Sequence, residues 1–257
     1  GLIIAKAFVA NGAKVYIAGR RLDVLEQAAA SITGISGSII PIQMDVTDEE
    51  SVKAGAKYIE GIDGKLDILV NNAGFSASLR DPDFISKKYA AEDPSEPETV
   101  QNWADIFVLN TIAPFFVVRA FQTLLISGAP TRPQGTSSVI NISSIAAKLN
   151  GTGPIAYNVT KAALDKLTLV LGTSFAQKDI PIRVNSLAPG VFASQLMTPE
   201  FVEAIKTKPL PGLIAPAPAK RSGTEEEMGM MAIYLAVSDY TNGAILTVDG
   251  GLSLVNP

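Results

Sequence analysis

Runs of consecutive apolar residues alternate along this chain with stretches in which apolar residues return every three or four positions. An unbroken apolar run suits a strand covered on both faces, and the longer period suits a helix with one face on a core. The pattern predicts strands at 14–18, 38–44, 66–71, 138–142, 182–187 and 244–248. It predicts helices at 2–11, 22–32, 48–59, 100–126, 156–177 and 225–237. Strand and helix in turn is the βαβ rhythm of a parallel sheet. The expected fold is therefore α/β, a doubly wound parallel sheet of the Rossmann type in a single domain over 1–257. Thr47-Asp48-Glu49-Glu50 reads as a capping box opening the third helix, and Gly12 is placed to end the first in a left-handed turn.

Two stretches break the rhythm. Residues 76–98 are polar and carry Pro82, Pro94 and Pro97, which predicts a surface excursion. Residues 194–223 carry Pro199, Pro209, Pro211, Pro216 and Pro218, with a short amphipathic piece at 201–205. A long Pro-rich insertion inside an α/β domain is usually functional, and a substrate lid is expected here. The start of the chain is a third anomaly, because Gly1 runs straight into a helix. In a doubly wound fold a central strand and a glycine-rich, phosphate-binding turn come first. Gly1 reads as the last glycine of that turn, and the expectation is a fragment lacking roughly 15–20 residues of first strand and turn.

The composition narrows the chemistry. The chain has no cysteine and no histidine. That excludes a thiol nucleophile, a disulfide framework, His- or Cys-ligated zinc and a serine–histidine–aspartate hydrolase. Acid–base work must fall to Tyr, Lys, Asp or Glu. The net charge of −4, without a Lys/Arg block, gives no nucleic-acid or anionic-membrane footprint. No unbroken apolar run reaches the length of a membrane span, and a cytoplasmic protein is expected.

One segment carries chemistry that fits these limits. Tyr157 and Lys161 are four apart in a predicted helix, so both lie on one face, one turn apart. A cation beside a phenol favours the phenolate, so this spacing predicts a tyrosine pKa lowered towards neutrality and usable for proton transfer. Ser144 offers a hydroxyl to a substrate carbonyl. The trio points to carbonyl/alcohol redox chemistry.

With these residues in place, the chain resembles the single-domain short-chain dehydrogenases/reductases along essentially its whole length. Asn71-Asn72-Ala73-Gly74 after a strand matches the family's NNAG segment, on the adenine-ribose side of the cofactor site. Asn110 matches the asparagine of the catalytic tetrad, and Ser144 precedes Tyr157 by the family's spacing, 157 − 144 = 13, which favours it over Ser143. Asp45-Val46 matches the pair that touches adenine, Pro189-Gly190, with Val191 beside it, the segment beside the nicotinamide, and Ser194 the carboxamide-binding position.

The resemblance implies a nicotinamide cofactor, and the second-strand region selects which one. An NAD site usually carries an acid at the end of that strand. Here Gly19 stands there, followed by Arg20, whose planar fork suits a 2′-phosphate, while Arg21 either assists or points to solvent. NADP(H) is the expected cofactor. The implied reaction has Tyr157 protonate the substrate oxygen, Ser144 fix that oxygen, Lys161 bond the nicotinamide ribose, and Asn110 hold a water that resupplies protons. The expected substrate is a small carbonyl compound, of 3-oxoacyl or secondary-metabolite type, and the expected assembly a homodimer or homotetramer. Trp103, Phe107, Phe115, Phe116 and Phe121 serve either the core or such an interface. The rival readings are a non-catalytic binding protein that kept the fold and a truncated inactive one.

Overall fold

The computed structural model describes residues 1–34, 36–150, 153–192, 203, 206–209 and 213–256. Helix α1 (Leu2–Ala10) closes on Asn11, and Gly12 turns the chain at φ +85°, the left-handed stop its position predicts. Strand β1 (Lys14–Gly19), helix α2 (Leu22–Ala30) and strand β2 (Ser38–Gln43) form a parallel βαβ unit, with Lys14 opposite Ser38 and Gly19 opposite Gln43. Helix α3 (Glu49–Asp63) leads to β3 (Ile68–Asn71). Helices α4 (Phe84–Ala90), α5 (Val100–Phe107) and α6 (Ala113–Gly128) precede β4 (Ser137–Ile142). The long helix α7 (Ile155–Gln177), strand β5 (Ile182–Pro189), helix α8 (Glu225–Val237), strand β6 (Ile245–Val248) and the short α9 (Leu252–Val255) complete the described elements.

The strands form two parallel ladders, β1–β2 and β3–β4–β5–β6, and no strand among the described residues bridges β1 to β3. Among the described strands only β4 and β5 have a neighbour on both sides, and they alone are buried nearly throughout. The apolar runs of β1, β2, β3 and β6 are half-buried, against the expectation of strands covered on both faces. A strand paired on one side leaves its other flank open, and sequence runs do not record that. The central strands alternate between two cores. Val139 and Val184 pack with Val52, Val118, Leu125 and Phe175 on one face. Ile140 and Leu187 pack with Ile4, Phe8, Met228 and Leu235 on the other. This two-sided burial is the physical content of a doubly wound sheet.

Three local expectations need correction. Thr47 does not open a capping box. Its N–H and hydroxyl both bond Asp45, at 2.9 and 2.7 Å, and Asp48 caps α3 instead by accepting from the Ser51 N–H at 2.9 Å. The reciprocal box sits at Thr224 and Glu227, at the start of α8. The helix expected at 100–126 is interrupted by a π-helical turn, Val108–Ile112, between α5 and α6. The combined stretch Val100–Thr131 contains an 18-residue window with a mean hydropathy of 1.6 and is long and apolar enough to cross a membrane by length and composition. A search for unbroken runs misses it because Asn110, Thr111 and Arg119 punctuate it. In this fold Ile106, Val117, Val118, Phe121 and Leu125 of that stretch are core residues. Finally, 76–98 is not only surface: it contains α4, buries Phe84 and Ala77, and ties Arg80 to Asp105 on α5.

Helices α1 and α8 pack at a glycine. A Cβ at Gly229 would lie 2.6 Å from the Cβ of Ala7. Alanine is intrinsically better than glycine in a helix by about 1 kcal/mol, but overpacking costs about 1–3 kcal/mol. Gly229→Ala is therefore expected to destabilise by about 1 kcal/mol in urea unfolding. In an Ala7→Gly background the same substitution should stabilise; a stabilising effect in both backgrounds would contradict the close contact.

Candidate active site

Because all the strands within each ladder are parallel, their carboxyl ends gather the candidate residues along one side. Arg20 follows β1, Asp45 follows β2, the 72–74 loop follows β3, Ser144 follows β4 and Gly190 follows β5. In open parallel sheets the crevice outside these ends is where ligands bind.

Tyr157 and Lys161 lie on the first turns of α7, Tyr157 half-buried and Lys161 buried. The Ser144 side chain stands close enough to the phenol to oppose its upward shift. Ser144 also accepts from the Ala146 N–H at 3.1 Å, which fixes its rotamer. Its rival Ser143 turns inward instead and donates to the Lys161 carbonyl at 3.3 Å. The Lys161 ammonium donates to the Ile142 carbonyl at 2.8 Å and lies 5.8 Å from the centre of the Tyr157 ring.

Asn110 sits on the π turn and is fully buried. Its amide accepts from the Phe75 N–H and donates to the Phe75 carbonyl, each at 2.9 Å, and donates to Thr160 Oγ1 at 3.0 Å. The side chain thus clamps the loop after β3 against α7. Gly74 occupies the gap between them, since a Cβ there would stand 3.2 Å from both Asn110 Oδ1 and Lys161 Nζ. The π turn has a sequence cause that the helical period conceals. Pro114, four residues on, has no N–H to give the Asn110 carbonyl in α register, and Ala113 bonds back to Val108 instead.

The electrostatics differ from the sequence expectation. Burial pushes the Tyr157 phenol up, opposed by the Ser144 side chain. Burial pulls Lys161 down to about 8, opposed by the charge of Asp165. The ammonium is spent on a backbone carbonyl rather than on the phenol oxygen, so the lysine is the group drawn towards neutrality. Asp165 is a residue the sequence reading missed. Its carboxyl is raised by burial and accepts from Ser186 Oγ at 2.9 Å. The series 157, 161, 165 at one-turn spacing on a buried helix face was the available signal.

The cofactor-side residues fall into groups. Arg20 and Arg21 are exposed, and Arg20 faces Asp45, whose carboxyl is held low mainly by Thr47 and also by the Arg20 charge. Gly19 has room for a side chain, its nearest neighbour being Leu25 at 3.6 Å from a built Cβ. Val46 packs on the core. Ala73 lies between Asn72 and Gly74 in the loop after β3. A Cβ on Gly1 would sit 2.9 Å from Asn72 Nδ2. Asn71 is structural, since it bonds Asn141, which bonds Thr168. Pro189 ends β5, Gly190 approaches so closely that a Cβ would lie 2.7 Å from Asp249 Cα, and the Val191 carbonyl accepts from Gly223 at 2.9 Å. Ser194 and, apart from Glu203, the piece at 201–205 lie outside the described residues. The closing end of the expected lid is anchored, because the Ile214 and Ala215 N–H groups both donate to Asn256 Oδ1. Close-approach glycines, parallel carboxyl ends and an exposed arginine after β1 together fit a dinucleotide.

The comparisons with known proteins agree on the fold. The family model described as enoyl-(acyl carrier protein) reductase matches residues 1–253. The chain is 34% identical to the short-chain dehydrogenase/reductase VdtF of Byssochlamys spectabilis, covering 98% of this chain and 88% of that protein. It is 30% identical to the 3-oxoacyl-(acyl-carrier-protein) reductase FabG of Chlamydia pneumoniae, covering 98% and 92%. Among solved structures it resembles the Pseudomonas aeruginosa RhlG/NADP active-site complex, with a TM-score of 0.81, 29% identity, and 98% and 92% covered.

The lowered lysine has a signed consequence for stability without ligand. Between pH 8 and 10 the unfolded chain holds the Lys161 proton and the folded chain releases it. The destabilisation by the buried cation is fully present below that window and fades as pH rises through it. Urea unfolding should show this rising contribution in the native chain and its loss in Lys161→Met. Parallel pH profiles for the two would refute the buried ammonium.

Proposed function

This chain belongs to the short-chain dehydrogenase/reductase family of oxidoreductases, and on that footing we propose that it is an NADPH-dependent reductase of a 3-oxoacyl-type or related ketone. The observation that carries the reading is the Ser144–Tyr157–Lys161 arrangement, with the lysine buried beneath the phenol ring. When bound, the nicotinamide supplies the hydride. The chain's own residues handle the oxygen. Ser144 fixes the carbonyl oxygen, and Tyr157, with its proton held firmly by burial, donates that proton as negative charge develops. Lys161, with the more labile proton, would hold the ribose when the cofactor is bound and would replenish the phenol. Asn110 keeps the 74–75 loop in place and leaves its own carbonyl for a relay water.

The NADPH preference is supported by Arg20 at the end of β1, by the missing carboxylate at Gly19, and by the NADP named in the RhlG complex. The 3-oxoacyl preference is supported by the FabG relative. We further propose a cytoplasmic homodimer or homotetramer. Exposed Val108, Ile112 and Phe115, with Val159 and Val170 on α7, support a self-association face.

The test is NADPH oxidation by the natural protein with a 3-oxoacyl thioester, a ketone panel and an enoyl thioester as control. Ketone-dependent turnover is expected, and turnover confined to the enoyl substrate would refute the carbonyl reading. Tyr157→Phe should lower kcat by about 100- to 10,000-fold while NADPH binding persists. Arg20→Ala should raise the KM for NADPH roughly tenfold or more and leave NADH use unchanged; equal losses for both cofactors would reject the phosphate role.

A further inference from the structure

Helix α7 opens without a cap of its own. Its N-cap residue is Pro154, which contributes no side-chain bond, and its first turn holds no acidic residue. The exposed first N–H groups of a helix need acceptors, most of all when the end is covered. Here a distant carboxylate supplies them. Glu98 accepts from the Ile155 N–H through one oxygen and from the Ala156 N–H through the other, the latter at 2.9 Å. Lys88 of α4 neutralises it at 3.0 Å and also donates to the Pro94 carbonyl at 2.5 Å. The side chains of Lys88 and Glu98 are 7% and 4% exposed, which separates this pair from the surface ion pairs elsewhere in the chain. A buried carboxylate is tolerable when an ammonium and backbone donors answer both its oxygens, and it is then fixed in place.

The next residue after Ala156 is Tyr157, and the residue after Glu98 is Thr99. Thr99 caps α5 by accepting from the Asn102 N–H at 3.1 Å, and α5 runs into the π turn that carries Asn110. Two adjacent residues at the end of the 76–98 segment thus hold the starts of both helices that bear the candidate catalytic side chains. The segment is itself fastened by Arg80 to Asp105, by Lys87 to Asp81 at 2.8 Å, and by buried Phe84.

We infer that Glu98, held by Lys88, is a positioning residue that fixes the first turn of α7 and so sets Tyr157 against Ser144. The inference rests on the reductase reading for its kinetic consequence, but the positioning can be read without turnover. The charged groups near the start of α7 are Lys161 and Asp165 on the helix itself, Lys148 after β4, whose charge acts on Asp165, and the Lys88–Glu98 pair beside Ala156. By sign, a carboxylate at Glu98 disfavours a phenolate at the next helical position and an ammonium at Lys88 favours one. Removing the carboxylate charge alone leaves a buried ammonium beside a positive helix end.

The experiment titrates the Tyr157 phenol by ultraviolet difference against Tyr157→Phe, in the chain without cofactor, and measures kcat and the KM for NADPH. Glu98→Gln should move the phenolate titration to lower pH and Lys88→Met to higher pH. The neutral double variant Lys88→Met/Glu98→Gln should bring it back towards the native position. The double variant also avoids leaving one charge unpaired, so it keeps the test open if a single variant fails to fold. Glu98→Gln should lower kcat about tenfold or more with the KM for NADPH within about twofold. A loss of thermal stability with the titration and kcat unchanged in the folded variants would overturn the inference. If the native chain turns over no ketone while the titration shifts as stated, the reductase reading falls and the positioning role stands.

Discussion

A buried ammonium organises this site. Lys161 is 4% exposed, and an unanswered cation at such a position would cost several kcal/mol. Much of the surrounding geometry answers it. The Ile142 carbonyl at the end of β4 accepts its proton, Asp165 one turn on supplies a counter-charge, and Gly74 gives up a side chain so that the loop after β3 can close over it. Those contacts come from the end of β4, from α7 itself and from the loop after β3. The docking of α7 against the ends of β3 and β4 therefore meets at one nitrogen atom. The lowered lysine is the residue of that compromise, since the contacts do not restore what burial removes.

Much of the fold was legible because parallel sheets write themselves as apolar runs, and the six strands fall within a few residues of those runs. The candidate site was legible where chemistry and spacing coincide on one element, as in Tyr157 and Lys161. It was not legible where the partner comes from elsewhere in the chain. Thr47 and Thr224 head near-identical acidic tetrads, yet Asp45 captures the first threonine and leaves the second free to form its box. A local motif cannot report a competitor two residues upstream in a different conformation. Glu98 is a sharper case, because nothing in a Pro-rich polar stretch says that one carboxylate folds inward to cap a helix that starts at Ile155. The direction of the tyrosine shift failed for a related reason. Spacing predicts that a cation is near the phenol, but only three dimensions reveal that a backbone carbonyl has claimed it.

The two asparagines of the resemblance illustrate how one residue type serves different ends. Asn71 spends its amide across the ladder on Asn141, and Asn141 passes the connection to Thr168 on α7. Asn110 spends its side chain on Phe75 and Thr160. Both donor hydrogens of the Asn110 amide are taken by Phe75 and Thr160. Pro114 is the reason the Asn110 carbonyl lacks its ordinary α-helical partner. The π turn is then a consequence of a proline placed one helical turn beyond an asparagine.

These features bear on how protons move in the proposed reaction. A phenol pushed up by burial is a poor place to store negative charge, so it must regain its proton as soon as it gives one up. The nearest group with a labile proton is Lys161, whose value of about 8 lies close to neutrality. A lysine with an ordinary value would hold its proton too tightly to relay it, and one lowered much further would arrive already empty. Burial sets the lysine between these limits, and Asp165 keeps it from falling further. The helix that carries all three groups in one-turn steps is thus both the frame that holds the phenol and the medium that tunes its supply.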